Sequence, residues 1–479
     1  MTVTSHVRSI VDRRHGPGTP SASGRRPHSG PHRPSHRSHR LVAAATLTGG
    51  LCASAALATP AGASASVRPA TSAPSYLQGH AYRHGAMPSL TYYRTHQAQF
   101  VHGNSTNDLN YGGGIAGVGV TTGPERIYLV FWGGQWGTQS TNGSGDAVFT
   151  GDPQSMAPDL QEFFKGLGNT GDSWSGVMTQ YCQGISSGQQ SCPANDIQQV
   201  AYPYGGALAG VWEDKTTLAP SAATAHQIAL EASAAATQFG NTTQASNLDA
   251  QYVVVSPTGT DPDNYQLNGF CAWHDWTGDS TMDGGGAVSS PDGLLAFTNL
   301  PYLTDAGGGC GQNFVNGGSA GTLDGVTIVE GHEYAETVTD QFPAGGWTDS
   351  GGSETGDKCA WISSGQGASQ NITLTTGTFA VQSTWANDFN GGVAGCEVSH
   401  AIVSDPEPTV TSVSPATGPT NGGTAITIRG VGFASPATVS VGQGSFGSGA
   451  IKATHVVVVS STEITAVTGG GAKAGQWNV

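Results

Sequence analysis

The sequence predicts two folded regions, a mixed α/β (α+β) domain stabilised by disulfides over residues 110–404 and an all-β sandwich over residues 405–479. Three observations carry this expectation. Strand-like apolar runs alternate with helical patterns in the first region. Six cysteines remain once an export signal is removed, an even number suited to disulfides. Short alternating strands separated by regular turns fill the second region, with no helical period.

The N-terminus reads as an export signal. Residues 1–40 carry eight arginines against the single acid Asp12, and residues 41–65 carry no charge. An apolar stretch from Leu41 to Ala58 leads to the small residues Ala63-Ser64-Ala65, and cleavage is expected before Ser66. That gives a signal peptide at 1–65 and a secreted, extracellular protein. The pairs Arg13-Arg14 and Arg25-Arg26 raise a twin-arginine route, but neither is followed by the usual apolar residues. Gly49, Gly50 and the many alanines make the stretch too weakly apolar for a permanent span, and no later segment is long enough, so no stable membrane insertion is expected. Residues 66–109 are rich in Pro, Ser, His and Tyr without periodicity, and read as a poorly ordered linker or pro-segment.

Charge narrows the partners. The whole chain holds 18 Lys+Arg and 33 Asp+Glu for a net of -15, but without residues 1–65 it holds 10 and 32, a net of -22. Such a surface repels phosphate backbones, which argues against nucleic acid.

Within the α/β region, Arg126–Gly134 (RIYLVFWGG) and Gln251–Ser256 (QYVVVS) are the apolar runs of strands covered on both faces. Ala157–Leu167 and Ser221–Phe239 have helical spacing. Residues 257–325 are dominated by Gly, Asp and Asn and are expected to form long loops, apart from one apolar run at Leu294–Leu303. Cys182 and Cys192 can close a short loop. The order among Cys271, Cys310, Cys359 and Cys396 is open, with Cys271–Cys310 and Cys359–Cys396 favoured. Thiolate metal binding is the weaker reading because no C-x-x-C pair is present.

The residues with most chemistry lie in Thr322–Asp340, TLDGVTIVEGHEYAETVTD. At about 100° per residue with His332 as zero, Glu336 falls at about 40°, Asp340 at about 80° and Glu333 at about 100°. His332 and Glu336, one turn apart, can bind a divalent ion, and Glu333 can act as general base on its water. The stretch resembles the zincin helix H-E-x-x-H with Glu336 in place of the second histidine. Zinc is the first choice of metal and calcium the alternative. A third ligand is expected from the acidic loop Gly346–Trp361, with Glu354 or Asp357 leading. His274, between two tryptophans in CAWHDW, is a candidate to orient substrate, stabilise an oxyanion or complete the metal site. The competing reading makes the helix an acidic face with a helix-capping or salt-bridged histidine. Gly317–Gly321 formally matches G-x-S-x-G but lacks the required preceding strand.

Two family resemblances follow from particular motifs. PTVTSVSPATGPTNGGTAITIRGVGF, within residues 408–479, resembles the opening of IPT/TIG domains, which implies an immunoglobulin-like sandwich serving as an adaptor. The chain ends earlier than the closing strand of such a sandwich normally does, so a truncated domain is expected. Over residues 110–400, YGGG, RIYLVFWGGQW, CAWH and GHEYAETVTDQFPAGGW resemble landmarks of the EXORDIUM or phosphate-induced proteins, which are secreted and have no defining catalytic mechanism. The combined expectation is a secreted metal-dependent hydrolase, foremost a zincin-like peptidase, acting on extracellular protein or polysaccharide. The alternative is a non-enzymatic extracellular or cell-surface binding protein in which the same helix is structural. Oligomeric state is left open.

Overall fold

A strand whose residues are apolar on both sides needs cover on both faces, and the two such runs in this chain lie side by side at the centre of a sheet. In a computed structural model, the described residues are 81–96, 108–193, 198–403, 409–431, 433, 437–441, 450–460, 463–473 and 475. The expected signal peptide lies outside them.

The principal elements of the body are β1 (His84–Pro88), α1 (Leu90–Thr95), β2 (Arg126–Trp132), α2 (Met156–Gly166), β3 (Leu208–Asp214), α3 (Ala225–Gln238), β4 (Ala250–Val255), β5 (Phe270–Trp276), β6 (Ala296–Leu300) and α4 (Asp324–Thr339). A hairpin follows, β7 (Gln370–Thr373) and β8 (Thr378–Val381). The main sheet has the order β1-β5-β6-β4-β2-β3. Its four consecutive strands β6, β4, β2 and β3 pair in parallel, while β5 and β1 add antiparallel at one edge.

Register sorts the side chains by face. Tyr128, Tyr252, Phe297 and Asp275 align across β2, β4, β6 and β5 on the face covered by α3, where Phe239 packs on Tyr128 at 4.5 Å between ring centroids. Val253, Thr298 and His274 align on the face toward α2 and α4.

Two expectations change. Residues 66–109 were expected to be poorly ordered, yet β1 and α1 join the body within that span. Arg83 is buried in a salt bridge to Asp263 at 2.5 Å, Trp361 Nε1 donates to the Pro88 carbonyl at 2.6 Å, and Ala86 and Met87 are buried. The segment is short, contains glycine and proline, and has register shifts against β5, so it shows no alternation to read. Residues 257–325 were expected to be loops, yet they hold β5 as well as β6. Strand β5 is hard to see because polar His274 and Asp275 sit at inward positions.

The cross-links are Cys182–Cys192, Cys271–Cys310 and Cys359–Cys396. The second ties the start of β5 to the loop before α4. The third ties the acidic loop after α4 to the strand at Gly395–Glu397.

The C-terminal region is all β. Strands β9 (Thr409–Ser414), β10 (Ala425–Val431), β11 (Thr454–Ser460) and β12 (Glu463–Val467) form an antiparallel sheet in the order β9-β10-β12-β11. A ribbon of Ser440–Val441 with Ile451–Lys452 supplies Val441 to the same small core as Ile426, Ile428, Phe433 and Ile464.

Candidate metal centre

Helix α4 is built from poor helix formers, and packing rather than propensity holds it. Every residue from Asp324 to Thr339 is buried. Tyr334 stacks on Trp174, and a Cβ on Gly331 would sit 3.5 Å from the same indole, so the helix lies close against that wall. Thr327 Oγ1 donates to the Ala380 carbonyl on β8 at 2.6 Å. At the far end, the Asp340 carboxylate accepts from the Ala344 and Gly346 N–H groups, which turns the chain back toward the acidic loop. A helix covered on all sides has nowhere to expose a charge. His332, Glu333 and Glu336 are therefore interior groups.

Four elements converge on Glu336. From α4, His332 Nε2 lies 3.1 Å from Glu336 Oε2. From β5, His274 Nε2 lies 3.7 Å from the same oxygen and 3.1 Å from Glu354 Oε2. From the loop after α4, Asp357 Oδ1 lies 4.0 Å from His332 Nε2. From β1, the Gly85 carbonyl oxygen lies 2.7 Å from His332 Nε2. The result is two overlapping triads that share Glu336: His274, Glu336 and Glu354, and His332, Glu336 and Asp357, with the ligand-type atoms of each within 4.8 Å of one another.

The backbone orients the shared carboxylate. Glu336 Oε1 accepts from Gly356 N–H at 3.0 Å and Asp357 N–H at 2.8 Å, while buried Oε2 faces the two imidazoles and pairs with His332 Nε2 at 3.1 Å. Gly356 and Gly85 permit this approach. A Cβ on Gly356 would lie 2.7 Å from His332 Nδ1, and one on Gly85, at φ +52°, would lie 1.8 Å from Glu336 Oε2.

The electrostatics separate the two histidines. Burial, followed by the charges of His84 and His332, pushes His274 well below the ordinary imidazole value, leaving it neutral as a ligand must be. Burial also opposes charge on His332, but Glu336, Asp357 and the Gly85 carbonyl outweigh it and raise its pKa to about 9. Burial, then the neighbouring acids, raises Glu354 and Glu333 well above the carboxylate range, and burial with Glu336 raises Asp357 to about 7. Carboxylates crowded around one point without enough positive charge hold protons that a cation can replace. The donor set of imidazole nitrogens and carboxylate oxygens, with Glu336 shared at its middle, fits a divalent ion of the zinc type.

All five sequence-derived candidates for ligands or substrate contacts, His274, His332, Glu336, Glu354 and Asp357, thus meet at one place. Glu333 follows His332 on the helix and both of its carboxylate oxygens are buried without a hydrogen bond. The other acids of the run lie elsewhere: Asp349 pairs with Lys358 at 3.0 Å, and Asp340 holds the turn after α4. Sequence reasoning missed Gly85, whose role is a backbone approach that carries no side-chain signal.

The centre is closed. His274, His332, Glu333 and Glu336 are 0% exposed, Glu354 1% and Asp357 6%.

The antiparallel C-terminal sheet, packed on a small apolar core, is consistent with the immunoglobulin-like class. Residues 408–479 match the IPT/TIG domain family. The match stops there, and no EXORDIUM-like domain is found over the body. No curated protein matches the chain, and no solved structure does.

Proposed function

We propose that the protein is an exported metal-dependent hydrolase, foremost a peptidase of zincin type. The observation that carries this reading is the convergence of two imidazoles and three carboxylates from α4, β5 and the acidic loop around Glu336 Oε2. His332, Glu336, Glu354, Asp357 and His274 would hold the ion. With Nε2 at 3.1 Å from Glu354 Oε2, His274 fits the ligand role better than the oxyanion role. A bound divalent ion would supply Lewis-acid polarisation and make water acidic enough to act as a nucleophile at neutral pH. Glu333, with its pKa raised by burial and by Glu336, would accept the proton and return it to the leaving group.

Strand β1 sets the condition for turnover. Its Gly85 carbonyl lies 2.7 Å from His332 Nε2 and covers the closed centre, so a substrate carbonyl would reach the same place only if β1 moved aside. Antiparallel pairing of β1 along β5 is also the geometry in which an extended polypeptide would bind there, which favours protein over polysaccharide as substrate. Three disulfides and the absence of a helix long and apolar enough to cross a membrane among the described residues are consistent with an extracellular setting. The EXORDIUM-like motifs fit the same setting, and the IPT/TIG region would act as an adaptor.

The near-complete burial of the centre favours a second reading, a non-enzymatic extracellular or cell-surface binding protein in which the same helix, with or without a metal, is structural. Metal analysis of the secreted protein, paired with peptide hydrolysis by wild type and Glu333→Gln, separates the two. The hydrolase keeps its metal in Glu333→Gln and loses turnover by about 100-fold or more. Metal with no turnover in either protein favours the binding reading, and a wild type without metal ends both metal proposals at this centre.

A further inference from the structure

A second cluster of ligand-type side chains lies beside the first and is not used by it. His84, on β1, places Nε2 3.4 Å from Asp279 Oδ2 and 3.9 Å from Asp275 Oδ1. The ligand-type atoms of all three residues lie within 4.8 Å of one another. We propose that His84, Asp275 and Asp279 bind a second divalent ion, of the zinc or manganese class, beside β1 and β5.

An independent observation points to a ligand here. Asp275 is fully buried, on the face of β5 opposite His274, and neither of its carboxylate oxygens has a hydrogen-bond partner. A buried carboxylate without donors costs several kcal/mol unless a proton or a cation neutralises it. The donors around Asp275 are arranged for the cation. Asp279 Oδ1 accepts from the Thr281 N–H at 2.6 Å, which fixes the carboxylate with Oδ2 turned to His84. One imidazole and two carboxylates suit zinc or manganese, whereas calcium and magnesium prefer oxygen donors throughout. The side chains of His84 and Asp279 are 15% and 11% exposed, so an ion and its remaining waters have a route in. The cluster does not depend on the hydrolase reading, because it shares no residue with the centre on α4.

The test is metal stoichiometry by mass spectrometry on the full exported chain, for wild type, Asp275→Asn, His84→Ala and His332→Ala. Asp275→Asn preserves shape while removing the charge, and circular dichroism checks that each variant folds. The expected result is two ions per chain in wild type and one in each variant. Zinc titration of His332→Ala should raise its Tm by several degrees, and the double variant His332→Ala with His84→Ala should lose that rise. Unchanged metal content in both Asp275→Asn and His84→Ala overturns the proposal, and so does a titration in which the double variant responds as the single one does. If instead His332→Ala keeps wild-type metal while Asp275→Asn loses an ion, the second site stands and the centre on α4 falls.

Discussion

The body and the C-terminal region treat charge in opposite ways. In the body, Glu333, Glu336, Glu354 and Asp357 are buried around His332 and His274, and Glu125, Glu231 and Glu330 are buried elsewhere. In the C-terminal region, Arg429 and Glu463 pair at 2.9 Å with Arg429 62% exposed, while the core of Ile426, Ile428, Phe433, Val439, Val441, Ile464 and Ala466 is wholly apolar. Both regions come from one glycine-rich chain. The smaller folds on apolar contact alone, so buried carboxylates are no requirement of folding for this composition. Leaving water costs each ionised carboxylate several kcal/mol before any partner is counted. Among the described residues the body carries that cost at several positions and the C-terminal core at none.

The comparison breaks most sharply at Gly85. Gly85→Val places a branched side chain at φ +52° and a Cβ against Glu336 Oε2, where strain and overpacking add. The expected loss is about 4 kcal/mol of body stability together with the metal, read by denaturant unfolding and metal analysis. The C-terminal counterpart is Ile428→Ala. With Ile428 1% exposed in a small core, the change should cost about 3 kcal/mol in the C-terminal transition and leave the metal content untouched. An effect of Ile428→Ala on metal would contradict the separation drawn here.

A third prediction sharpens the contrast through pH. Burial, then the charge of Asp249, raises Glu125 from its ordinary value of 4.5 to about 8. A carboxylate with a raised folded pKa is protonated in the folded state and ionises on unfolding, so its stability contribution is full below about pH 4 and is lost as pH rises through about 8. Body stability should therefore fall between pH 5 and pH 9. Glu125→Gln should flatten that fall and stabilise the body by on the order of 2 kcal/mol at pH 8, measured by thermal unfolding across pH. A fall of the same steepness in Glu125→Gln would assign the pH dependence to other groups.

Much of the fold could be read from residue pattern. RIYLVFW and QYVVV declare strands β2 and β4 because nothing in them needs water, and the spacing of Leu160, Phe163, Phe164 and Leu167 declares α2. The alternating strands after Asp405 were as plain. Strand β5 was not, since FCAWHDW turns His274 and Asp275 inward and so looks like a loop by composition. Function and legibility compete at that strand. At the centre, the i, i+4 pair of His332 and Glu336 and the acidic loop were legible because local spacing encodes them. The contribution of β1 was not, because Gly85 acts through its carbonyl and its lack of a side chain across 247 positions of sequence. His84, Asp275 and Asp279 were missed for a related reason: only the pairing of β1 with β5 brings them together.

That pairing has a consequence for how the gene can drift. On β1, His84 and Gly85 are neighbours addressed to different clusters, as are His274 and Asp275 on β5. Deleting or inserting one residue between His84 and Pro88 would misdirect both. Few single substitutions outside Gly85 would reveal this constraint. Across related genes, the spacing between His84 and the anchor at Pro88 should therefore vary less than the identities of the residues between them.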